Sequence, residues 1–147
     1  MKPLLLPLFL LWTAALSAQA LQPDAVLTEM HKRLASSEKR TYHNPVVFIG
    51  EITKLGAVFQ GVCKSGVNQE VEFTISRVLW GDHSEPVLRT GYINCTRQPL
   101  PSPPFTLHAK VIVYCEQARS AKCLAPVAFT DDRLHTVESW IAAIPHH

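Results

Sequence analysis

Glu70-Val71-Glu72-Phe73-Thr74-Ile75-Ser76 alternates polar and apolar residues without a break. A period of two belongs to a β-strand with one buried face, so Val71, Phe73 and Ile75 point inward and the glutamates outward. After Ser76 the apolar role passes to Val78 and Trp80, a slip that a one-residue bulge explains. Gly81-Asp82 then turns the chain. Upstream, Val46 to Leu55 is nearly all apolar at its start and rich in β-branched residues, which predicts a strand buried on both sides, with a bend or bulge at Gly50. A connection from Gly61 to Gly66 joins these two strands. Downstream, Val87–Tyr92, Leu107–Cys115 and Cys123–Phe129 predict three more, the last shortened by Pro126.

Helices flank the strands. Residues 24–40 carry Val26, Leu27, Met30 and Leu34 on one stripe behind the start signal Pro23-Asp24, and Asn44-Pro45 ends the segment. Thr130-Asp131-Asp132 caps a final helix in which Leu134, Val137, Ile141 and Ile144 share a face, and Pro145 stops it. Five short strands joined by turns, with no internal repeat, predict a mainly β domain: a small closed barrel or meander, its helices over the openings or one face.

The chain has 147 residues and a formal net charge of +2, or +1 without Lys2. That balance excludes a strongly basic nucleic-acid binder and an acidic disordered tail. Residues 1–20 read as an export signal: Lys2, an apolar run from Leu4 to Trp12, and the small-residue stretch Ala18-Gln19-Ala20. Pro7 interrupts the run, which falls short of the roughly 20 residues of a membrane span. The expectation is a protein secreted to the extracellular space or periplasm, with no span in the mature chain.

Export makes the four cysteines a disulfide set. Cys63, Cys95, Cys115 and Cys123 lack the close Cys-x-x-Cys pairs of structural zinc sites, so two structural disulfides are expected, with three possible pairings. The seven histidines, His31, His43, His83, His108, His135, His146 and His147, show no His-x-x-x-His spacing and read as solvent-exposed, including His135 four residues after Asp131. No Gly-x-Ser-x-Gly elbow is present, and Glu70 and Glu72, about 6.6 Å apart on one strand, read as a solvated face rather than a catalytic pair. Phe48, Phe73 and Trp80 sit at core positions, not on a basic groove, which argues against single-stranded nucleic acid. Asn94-Cys95-Thr96 fits a glycosylation acceptor but reads as unmodified. Neither a metal nor a cofactor is expected. Pro99, Pro101, Pro103 and Pro104 break any ladder and make residues 96–106 a semi-rigid loop, the best candidate contact surface.

Across residues 46–141 the chain resembles the tissue-inhibitor-of-metalloproteinase-like, or netrin-like, domains. The matching features are Val47-Phe48-Ile49-Gly50-Glu51-Ile52 as opening strand and Val71-x-Phe73-x-Ile75-x-x-Val78-x-x-Gly81 as the second. Cys95 after the third strand, the strand Val111-Ile112-Val113-Tyr114, and Cys123 before the closing helix complete the match. The resemblance implies a five-stranded OB-like barrel. It also favours Cys95–Cys123 with Cys63–Cys115; the local alternative is Cys115–Cys123 across a hairpin, with Cys63–Cys95. In the inhibitors a mature N-terminal cysteine chelates the protease's zinc, whereas here no cysteine precedes Cys63. The likeness therefore extends to fold and not to that activity.

The resulting expectation has residues 1–20 as signal, 21–45 as a helical segment and 46–147 as an OB-like barrel with a C-terminal helix. It acts as a non-catalytic binding module whose partner is a protein or cell-envelope component. The alternatives are a protease inhibitor working through surface loops and a small exported hydrolase.

Overall fold

The computed structural model describes residues 23–36, 43–60, 67–94, 105–117 and 120–145. Their elements, in order, are α1 (Pro23–Ala35), β1 (Pro45–Gln60), β2 (Val67–Trp80), β3 (Val87–Asn94), β4 (Lys110–Gln117), β5 (Ala121–Cys123), β6 (Val127–Ala128) and α2 (Asp131–Ala142). The strands run in the antiparallel order β3-β2-β1-β4-β5, with β6 also on β4, and curl into a nearly closed five-strand barrel.

β1 and β2 curl through bulges. Ile49 faces Arg77 while Gly50 faces Ile75, so Ser76 is the extra residue where the sequence alternation slips. Its hydroxyl donates to the Ile49 carbonyl at 3.1 Å. A second bulge at Leu79, between the pairs Phe48–Val78 and Val47–Trp80, re-aims the strand end. Val78 packs with the barrel interior, whereas Leu79 and Trp80 join the outer cluster.

The run Val46-Val47-Phe48-Ile49 is buried throughout, and two cores explain its first three members. Val46 and Phe48 face inward with Ile52, Val71, Phe73 and Val113. Val47 faces outward with Ile112 and Tyr114 of β4, against Met30 and Leu34 of α1 and Val137 of α2. The helices thus cover one outer face, and only β1 and β4 need to be apolar on both sides.

α1 ends at Ala35, short of the expected residue 40, and residues 37–42 lie outside the described set. Arg33 ties α1 to β4: its Nη1 donates to Glu116 Oε1 at 3.4 Å, and Tyr114 Oη donates to the same oxygen at 3.1 Å. α2 starts as expected. Thr130 Oγ1 accepts from the Arg133 amide at 3.2 Å, so Thr130→Ala should cost about 1 kcal/mol in chemical denaturation.

β4 and β5 hold the described disulfide, Cys115–Cys123, which corrects the pairing Cys95–Cys123 with Cys63–Cys115. Cys115 and Cys123 are directly opposed across the hairpin, with Cα atoms 4.0 Å apart. That local register, more than the distant placement of Cys95, decides the pairing. Cys63 and Cys95 lie outside the described residues. Replacing Cys115 and Cys123 together by alanine should destabilise the domain by about 2–3 kcal/mol, read from urea unfolding.

Candidate functional site

Among the described residues the barrel closes without a main-chain ladder between β3 and β5. Instead, Thr90 Oγ1 donates to the Ala121 carbonyl at 2.9 Å, and Tyr92 Oη donates to the Leu124 carbonyl at 2.9 Å. Burial pushes the Tyr92 hydroxyl well above the ordinary phenol range, so it stays a donor. Along this seam lies an open trough of about 410 Å³.

Strand alternation supplies its wall. Val71 and Phe73 enter the core, which sends Glu70 and Glu72 outward. Register then sets their neighbours. Glu72 lies between Lys54 of β1 and Arg89 of β3, forming a cation–anion–cation row. Arg89 Nε donates to Glu72 Oε2 at 2.7 Å. This bond, then the charges of Glu72 and Glu70, holds the guanidinium above its usual range.

The next row differs. Glu70 faces Gly91 on β3, while on the β1 side a Cβ at Gly56 would stand 3.0 Å from Glu70 Cβ. Glu70 is thus an exposed carboxylate with a glycine on either hand. Lys122 and Ser120 of the β5 strand and its approach form the far wall. Such a surface can recognise paired opposite charges.

Of the residues predicted from sequence, Cys115 and Cys123 lie beneath this region as a brace. Cys63, Cys95, Pro99, Pro101, Pro103 and Pro104 fall outside the described residues, as do His146 and His147. Glu70 and Glu72 do share a face, but their environments differ, because only Glu72 is tied to Arg89.

His31, His43, His108 and His135 are exposed, as expected, and His83 alone among the described histidines departs from that expectation. His83 is half-buried, its Nδ1 2.7 Å from Gln117 Oε1 and its Nε2 3.3 Å from the Val87 carbonyl oxygen. His31 stacks on Trp140, ring centroids 4.4 Å apart, joining α1 to α2. His108 Nδ1 lies 2.9 Å from Glu51 Oε1, and His135 leans toward Glu138 at 4.0 Å, not toward Asp131. Among the described residues no group of three or more His, Cys, Asp or Glu could hold a metal ion, and no helix is long and apolar enough to cross a membrane.

Sequence reasoning missed Lys54, Gly56, Arg89 and Gly91. The available signal was the third strand's own alternation, in which Leu88 and Thr90 go inward and Arg89 and Gly91 outward. No protein-family model, curated protein or solved structure matches the chain.

Proposed function

We propose that this chain is an exported OB-like binding module, non-catalytic, whose partner is a protein or cell-envelope component. The observation that carries the reading is the trough. A barrel braced by Cys115–Cys123 and by side-chain bonds across its seam turns outward a fixed row of opposite charges. Fixed polar groups on a rigid scaffold favour recognition, because little ordering is left to be lost on binding.

The order of strands, with β1 paired on both sides and curled by bulges, supports the OB-like assignment; the resemblance to the netrin-like domains rests on the sequence features alone. Export is supported by the pattern of residues 1–20. With Cys115 and Cys123 joined, the second bridge in this reading is Cys63–Cys95. Asn94 pairs with Val67, and Val67 with Gln60, so Cys95 and Cys63 follow strand positions at the same end of the sheet. A non-reducing peptide map should yield a fragment linking positions 63 and 95; a free thiol at either would contradict it.

The functional test is affinity capture by the secreted protein from the envelope fraction of the exporting cell, read by mass spectrometry. The reading expects one reproducible partner held at physiological salt. It fails if nothing is retained, or if the protein turns over ester, peptide or glycoside substrates. Inhibition of a protease panel would favour the loop-inhibitor alternative instead.

A further inference from the structure

We infer that the trough receives an extended segment of a partner polypeptide carrying a basic side chain beside an acidic one. The basic side chain sits on Glu70 and the acidic one lies between Arg89 and Lys122. This deepens the binding-module reading and rests on it.

Gly91 is the first support. Glycine inside a strand weakens it, and such a position often marks close approach by another backbone or a ligand. Within the protein nothing demands glycine there: its φ is not positive, and an added Cβ would meet no atom within 4 Å. Gly50 is different, since a Cβ there would lie 2.9 Å from the Thr74 carbonyl oxygen. Gly91 therefore keeps open a space that the fold itself does not use, beside its cross-strand neighbour Glu70.

Charge is the second support. Glu72 is neutralised by Arg89 at 2.7 Å, but Glu70, Lys54 and Lys122 have no ion-pair partner among the described residues. An exposed carboxylate between two glycines suits a guanidinium or ammonium. Lys122 and the outer nitrogens of Arg89, whose side chain is 80% exposed, suit a carboxylate. A polyphosphate backbone would meet two glutamates, and a wholly basic segment would meet three cations.

The seam is the third. No main-chain hydrogen bond joins β3 to β5 among the described residues, so apart from the Ala121 carbonyl, which Thr90 Oγ1 holds, the facing edges beside the trough carry no ladder bonds. Extended polypeptide is the form that matches such edges.

The test is amide NMR titration of the full secreted protein with three blocked hexapeptides that carry Ser at every second position, so that the remaining side chains share one face of an extended segment: Arg alternating with Asp at those remaining positions, Arg alone, and Asp alone. The alternating peptide should bind at least about tenfold tighter than either other, with shifts centred on Glu70, Gly91 and Lys122. Glu70→Gln and Lys122→Gln should each weaken it several-fold. Gly91→Val should abolish binding while its melting temperature stays at or above that of the wild type, since valine suits a strand better than glycine. Equal binding of the single-sign peptides, shifts elsewhere, no shifts at millimolar peptide, or full binding by Gly91→Val would each overturn the inference. If affinity capture yields a partner that Gly91→Val still retains, the binding-module reading survives and this site does not.

Discussion

Gly81→Ala is expected to destabilise the protein by about 3–5 kcal/mol, one of the largest losses of any single substitution. Gly81 ends the β2 side of the β2–β3 turn with φ of +85°, where a side chain is strained regardless of space. Space is also absent: an added Cβ would run into the Pro45 carbonyl oxygen, with Val46 Cα at 3.0 Å. Neither obstacle is a flexible side chain. Relief requires moving the start of β1, where Val46 and Val47 are fully buried in the two separate cores. Urea unfolding of the variant measures the effect. A loss under about 1 kcal/mol would mean that the turn and the β1 entry are not packed as described.

Phe48→Ala should cost a similar amount, about 3–5 kcal/mol. Phe48 is fully buried in the barrel interior and meets Phe73 edge-on at 5.7 Å between ring centroids. The surrounding wall is strand backbone held by ladders on both sides of β1, so it can collapse little into the void. Phe48→Leu retains most of the volume and should lose much less. If the two variants unfold alike, the interior is not close-packed around this ring.

Much of the barrel was legible in the sequence because burial writes itself as periodicity. The strict alternation of residues 70–76 identified β2 and its inward face. The slip after Ser76 marked a bulge that the register places at that residue. The double-sided apolar run at 46–49 identified the strand shared by two cores. Limits were less legible. β1 continues to Gln60, past Gly56 and Ala57, because pairing with β2 outweighs weak local propensity. The expected fifth strand is split into β5 and β6 by Leu124–Pro126, since proline cannot donate to a ladder.

The trough was hardly legible at all. That Lys54, Glu72 and Arg89 form one row, and Gly56, Glu70 and Gly91 the next, depends on cross-strand register, which two bulges in β2 and two irregularities in β1 shift residue by residue. A one-residue error in register sends every side chain to the other face. The same holds for Cys115 and Cys123, whose pairing follows from a hairpin register that spacing alone leaves open.

The most direct test of the proposed binding role is site-specific photo-crosslinking in cells that express the full chain. A benzoylphenylalanine at Ser120, on the rim of the trough, is compared with one at Thr136 on the exposed side of α2. A discrete adduct from position 120 and none from 136 is the predicted result. No adduct from 120, or the same adducts from both, would contradict it.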